Sequence, residues 1–244
     1  MSMRGVLSAA LVLVAVLGLA TTGSAASAGG APLRTYKVTL ENLTDGQPFS
    51  PGVAATHRPS IHVFEVGEAA SPGIEAIAED GNETTAVNAL NASSHVTDVF
   101  DLNHPLTPSG TVVGSFTDSV SFEIAARPGD RLSLATMLIC TNDGFTGLDG
   151  ARLPQHGSRT FFLNGYDAGT ENNTEKSADI VDACSALGPV SLAGDPNGNQ
   201  NAAVDTSPHG PIHHHPGILG GGDLTPGEHD WTNPVAKVTV ERVD

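Results

Sequence analysis

The groups best able to do chemistry are concentrated in a few short stretches. One is His209-Gly-Pro-Ile-His213-His214-His215-Pro-Gly217, followed by His229. In an extended segment His213 and His215 project to the same side, so they could share a zinc or copper ion through their ring nitrogens. A structural zinc asks for four nitrogen or sulfur ligands in a closed site, and the two cysteines of the chain, Cys140 and Cys184, have another use. In an oxidising compartment they have a single intramolecular pairing. A loop of that length closed by a disulfide would stabilise the fold by about 4 kcal/mol in the chain-entropy model. A third stretch, Asp195-Pro-Asn-Gly-Asn-Gln-Asn-Ala-Ala-Val-Asp205, begins like an EF-hand loop. It has Gln200 where glycine is required and Thr206 where a bidentate glutamate belongs, so it reads as a polar turn. No G-x-S-x-G elbow, H-E-x-x-H pair or C-x-x-C is present, and Gly220-Gly-Gly-Asp223 lacks the Lys-Ser/Thr of a phosphate loop. The expectation is a protein that is not an enzyme.

The elements that must position these groups are mostly strands. Tyr36, Val38 and Leu40 alternate with Lys37, Thr39 and Glu41, and Ala236 to Val243 alternates in the same way. Both predict strands with one dry face, joined in one sheet. Prolines at 48, 51 and 59 predict a loop from Asp45 to Ser60, and Ile61 to Val66 returns to strand character. Ser71-Pro72 and Gly81 punctuate a short helix, and a second is predicted from Glu83 to Leu90. Further strands are predicted at Gly110 to Phe116, Ser119 to Ile124 and Arg131 to Cys140, with a turn over Arg127 to Asp130. The continuous apolar run Met137 to Cys140 predicts burial on both faces. Residues 184 to 233, rich in Gly, Pro and Asn, read as one long folded-back surface excursion. Short strands with few helices fit a β-sandwich.

Charge and the leader bound the function. A formal net charge of -16 over 244 residues argues against nucleic acid or an anionic membrane surface as partner. Arg4, the apolar run Val6 to Ala20 and the small residues Gly23 to Ala28 read as a signal peptide over 1–28. Its apolar run is shorter than the ~20 residues of a spanning helix, so no membrane insertion is expected after cleavage. Residues 29–244 then form one secreted or extracellular domain, with periplasmic or cell-surface placement equally compatible.

Five segments, taken in order, carry a resemblance. These are Phe49-Ser-Pro-Gly-Val-Ala-Ala-Thr-His57, Ala78-Glu-Asp-Gly81, Ala135-Thr-Met-Leu-Ile-Cys-Thr-Asn-Asp-Gly-Phe-Thr-Gly-Leu148, Asp167-Ala-Gly-Thr-Glu-Asn172 and Asn233-Pro-Val-Ala-Lys-Val-Thr-Val240. Together they resemble the spondin N-terminal domain in its bacterial secreted form. The resemblance implies an all-β fold, a C2-like antiparallel β-sandwich with one or two short helices and a long Gly/Pro-rich loop. It also implies one bound Ca2+, with Asp143 and Asp167 as side-chain ligands and Asn164 through its backbone carbonyl. Cys140, Gly144 and Tyr166 depart from the animal pattern of Pro, an aromatic and Trp. Carboxylates and carbonyls on two loops suit calcium, which takes six to eight oxygen ligands, and Asp149 and Glu171 lie near enough in sequence to contribute. The expected function is a secreted, calcium-binding adhesion or binding module whose partner is an extracellular protein or glycan. The alternative is an extracytoplasmic Zn2+- or Cu2+-binding protein using the His209–His215 cluster.

Overall fold

The computed structural model describes residues 32–181, Cys184, Leu187 and 204–243. The signal peptide predicted over 1–28 and residues 195–203 of the EF-hand-like stretch lie outside the described residues.

The alternation at the two ends does what its period dictates. β1 (Arg34–Asn42) buries Tyr36, Val38 and Leu40, and β10 (Ala236–Arg242) buries Ala236, Val238 and Val240. The two pair antiparallel, with Val38 opposite Val240 and Leu40 opposite Val238. β4 (Ser119–Ala126) joins the free side of β1 and β7 (Ser158–Leu163) that of β10, which gives a four-stranded sheet in the order β4-β1-β10-β7. The second sheet has six strands in the order β3-β2-β5-β6-β8-β9. Its members are β2 (Phe49–His57), β3 (Val96–Asp101), β5 (Arg131–Leu138), β6 (Gly144–Arg152), β8 (Gly165–Asp167) and β9 (His213–His214). The two sheets close on Val38, Leu40, Phe49, Leu132, Leu134, Leu138, Val238 and Val240, and stacked Phe100 and Phe122, 4.2 Å apart, tie β3 to β4 across one side.

A second apolar layer covers the outer face of the six-stranded sheet. Helix α1 (Pro72–Asp80) contributes Ile74, Ile77 and Ala78, which meet Ala135, Met137, Ile139 and Phe145. The helix has the predicted punctuation: the Ile74 N–H donates to Ser71 Oγ at 3.3 Å, and Gly81 closes it at φ +61°, a conformation that favours glycine. Helix α2 (Thr84–Ala92) follows. With a core on each face, β5 is buried along almost its whole length, as the run Met137 to Cys140 predicts. The described residues thus form an antiparallel β-sandwich.

Three expectations need correction, and a fourth needs an addition. The predicted loop over Asp45 to Ser60 contains strand β2 at Phe49–His57, because its prolines sit where they cost little: Pro51 falls in the register shift between Phe49 and Gly52. Ile61 to Val66 is not a strand but an irregular strap, with the Val63 N–H held by Asp149 Oδ1 at 2.7 Å and Phe64 buried. Gly110 to Phe116 is a tight turn containing only a Val113–Phe116 bridge. Where the 184–233 region is described, it lies mostly at the surface, as expected, but is pinned by a few buried side chains. Ile212, Ile218 and Leu224 enter the outer core, and His229 at the end of α3 (Pro226–His229) is buried.

Candidate metal centre

Past β5 the chain turns sharply from Ile139 to Asp143. Thr141 Oγ1 donates to Leu138 O at 2.6 Å and accepts the Gly144 N–H at 2.8 Å. A Cβ on Gly144 would fall 2.4 Å from that hydroxyl, so this position must be glycine for the turn to close. The aromatic ring of this neighbourhood comes one residue later, from Phe145, 5.6 Å from Tyr166. Cys140 begins the turn and is bonded to Cys184, the pairing expected from the sequence. Gln47 fixes the same stretch: its amide donates to Cys140 O and His229 O and accepts the Cys140 N–H.

The turn delivers Asp143 beside the segment after β8. Gly144 is in register with Asp167, and Asp143 O accepts the Ala168 N–H at 3.1 Å. Asp143 Oδ2 accepts the Thr170 and Glu171 N–H groups at 2.8 and 3.0 Å, while Oδ1, fully buried, has no hydrogen-bond partner. Asp167 is 2 % exposed; its Oδ1 accepts the Gly169 N–H and its Oδ2 the Asn173 amide at 2.6 Å. Glu171 joins them. It too is buried, and its Oε2 has no partner.

These carboxylates disturb one another. Burial, then the Asp167 carboxylate, pushes Asp143 up to about 6 against the pull of its backbone hydrogen bonds. Burial, then Glu79, Asp143 and Asp205, pushes Glu171 up to about 9. Glu79, at the end of α1, is pushed up to about 7 by burial and then by Glu75, Asp205 and Asp143, against a hydrogen bond from Thr170. Glu171 was expected near the site from its nearness in sequence, whereas Glu79, in the Ala78–Gly81 segment, and Asp205, at the end of the EF-hand-like stretch, are brought to Glu171 by tertiary packing.

The other expected ligands are placed as follows. Asn164 O accepts the Thr146 hydroxyl at 2.9 Å. Asp149 lies elsewhere, bonded to His62 Nδ1 at 2.6 Å, to the Val63 N–H and to the Ser133 hydroxyl. The histidines are engaged separately: His209 is exposed, and His213 Nδ1 donates to Pro211 O and stands 3.7 Å from Asp167 Oδ1. His214 stacks on Tyr166, while His215 is buried against Trp231 and its Nδ1 accepts the Gly217 N–H. Burial holds the His215 ring down to about 4, so it packs as a neutral ring. Among the described residues, no three His, Cys, Asp or Glu side chains converge closely enough to hold a metal ion by themselves. The oxygens left empty by Asp143 and Glu171 nevertheless fit a hard, oxygen-seeking cation, which would draw remaining ligands from carbonyls and water.

The described residues thus define a disulfide-tied antiparallel β-sandwich that brings Asp143 to the Thr170–Glu171 backbone. The chain belongs to the Spondin_N family, whose model matches residues 41–185, from the end of β1 through Asp143, Asp167 and Glu171 to the residue after Cys184. A comparison with curated proteins finds no match. No helix among the described residues is long and apolar enough to cross a membrane.

Proposed function

We propose that the protein is a secreted, non-enzymatic calcium-binding β-sandwich module, acting in adhesion or binding at a cell surface or in the extracellular space. The observation that carries this reading is the pair of buried, unpartnered carboxylate oxygens, Asp143 Oδ1 and Glu171 Oε2, set beside Asp167. Burying a carboxylate without a partner is costly, and a divalent cation offsets that cost for several acids together. Calcium would supply positive charge alone. Asp143 and Glu171 would offer their open oxygens, while the Thr170 and Glu171 N–H groups hold Asp143 in place from its other side. Membership of Spondin_N supports the extracellular setting, and the partner is an extracellular protein or glycan.

Titration calorimetry of the metal-free protein tests the reading. Calcium should bind and raise the melting temperature, and Asp143→Asn with Asp167→Asn should remove both effects. If calcium neither binds nor stabilises the unmutated protein, the reading is wrong. A second reading, a zinc or copper site at His213 and His215, draws on the buried, unpartnered His215 Nε2 and on Asp167 beside His213. The same titration with zinc, repeated on His213→Ala with His215→Ala, separates the two.

A further inference from the structure

A groove of about 440 Å3 is walled by Gly147–Asp149 of β6, Phe162 and Leu163 of β7, Tyr166 and the 62–66 strap. Both strand walls have an open side. Among the described residues β7 is the last strand of its sheet and pairs only with β10, and β6 pairs with β8 only over Gly144–Thr146, so from Gly147 onward its sole described partner is β5. Open strand edges present unpaired N–H and C=O groups, and an added extended chain satisfies them.

The groove's side chains set the character of that chain. Val66 and Phe162 are 52 % and 64 % exposed, two of the few large apolar side chains left in water. The groove's acidic side chains are Glu65 and Asp149, with His62 between them, 2.6 Å from Asp149 and 3.9 Å from Glu65. Asp149 is held rigidly, by the Val63 N–H, by His62 Nδ1 at 2.6 Å and by Ser133, whose hydroxyl is in turn 2.7 Å from buried His57 Nε2. The nearest base in register is Lys237, opposite Phe162, and it is engaged by Glu41 at 2.5 Å. With a chain net charge of -16, a cationic partner is drawn in at long range where a neutral one is not.

We propose that this groove docks an extended segment of a partner protein in which arginine or lysine alternates with apolar residues. The backbone of that segment pairs with an open strand edge, its apolar side chains cover Val66 and Phe162, and its cations meet the exposed Glu65 carboxylate. The inference names partner chemistry for the binding role and does not depend on calcium.

The test is fluorescence anisotropy in chelator, with a short labelled, end-blocked peptide alternating valine and arginine and a second peptide carrying glutamate for arginine. The arginine peptide should bind saturably, more weakly as salt rises, and the glutamate peptide should not. Phe162→Ser and Glu65→Gln, both at exposed positions, should keep the parental melting temperature and each weaken binding at least tenfold. No saturable binding of the arginine peptide, equal binding of the glutamate peptide, displacement by a neutral oligosaccharide alone, or unchanged affinity in both variants would overturn the proposal. Calcium titration of the same samples reads the metal site separately, so failure of either idea leaves the other standing.

Discussion

Glu171 and Glu175 stand on one short segment and are equally buried, each 5 % exposed, yet their oxygens meet opposite fates. Glu175 Oε1 accepts the Leu219 N–H and Oε2 the Gly221 N–H, both at 2.6 Å, and its own carbonyl accepts from Asp223 and Leu224. It stands at φ +55°, and the backbone of Gly222 comes so close that a Cβ there would lie 2.4 Å from Glu175 O. Glu171 Oε2 has nothing. Two identical side chains at equal depth thus separate a carboxylate used as a staple for the 217–224 segment from one left open among other acids. A buried acid is informative about ligands only after its oxygens have been accounted for.

The contrast can be broken most forcefully at Glu175. Glu175→Ala removes the charged acceptor of the Leu219 and Gly221 N–H groups, two charge-assisted bonds worth about 1.5 kcal/mol each, and should cost about 3 kcal/mol, read as a lower urea midpoint with an unchanged slope. Calcium affinity should survive in the folded fraction; loss of affinity alone, with stability intact, would reverse the roles assigned to the two glutamates. Next in size is Asp143→Asn, expected to lower calcium affinity about a hundredfold, or about 2.7 kcal/mol, without lowering stability in chelator. Glu171→Gln should lower affinity about tenfold and stabilise the metal-free protein at pH 8, because Glu171, held up to about 9 in the fold, must take up a proton on folding at that pH and Gln need not. An unstable Glu171→Gln would show that this acid, like Glu175, is a structural staple.

The last test concerns pH. Asp143, Glu79 and Glu171 have folded values raised above their ordinary ones, to about 6, 7 and 9. A raised carboxyl binds its proton more tightly in the folded state, so its stabilising contribution is complete below the ordinary carboxylate range and is lost as pH climbs through the folded value. The metal-free melting temperature should therefore fall between about pH 5 and 9, by about 3 °C for each kcal/mol lost. Saturating calcium should flatten the curve; a metal-free curve already flat would mean that these acids are solvated.

Legibility in the sequence followed the source of each element's stability. β1, β10 and α1 were readable because a period or a cap specifies them locally: Tyr36, Val38 and Leu40 on one face, Ser71 and Gly81 at the two helix ends. β2 was hidden because Ala54, Ala55 and Thr56 are buried together, so alternation vanishes and the prolines dominate. β6 and β8, rich in glycine, exist through pairing with partners distant in sequence, and no local pattern announces them. The disulfide followed from having only two cysteines. Of the site, Asp143 and Asp167 came through resemblance. Glu79 and Asp205 required the fold, which brings α1 and the segment after 203 to the same carboxylate.

The pairing of β1 with β10 also decides how the domain would bear a pull. Tyr36 lies opposite Arg242, and the Val243 N–H donates to Thr35 O, so residues 34 and 243 leave the sheet side by side. The opposite end of β1 meets Gln47 through Asn42, and Gln47 in turn holds Cys140 at the start of the turn that carries Asp143. Tension applied through residues 34 and 243 would open this strand pair like a zipper, one hydrogen bond at a time, rather than shear the whole ladder at once. The peel would begin at the far end from Asp143, so the carboxylate loops would be the last to feel the force.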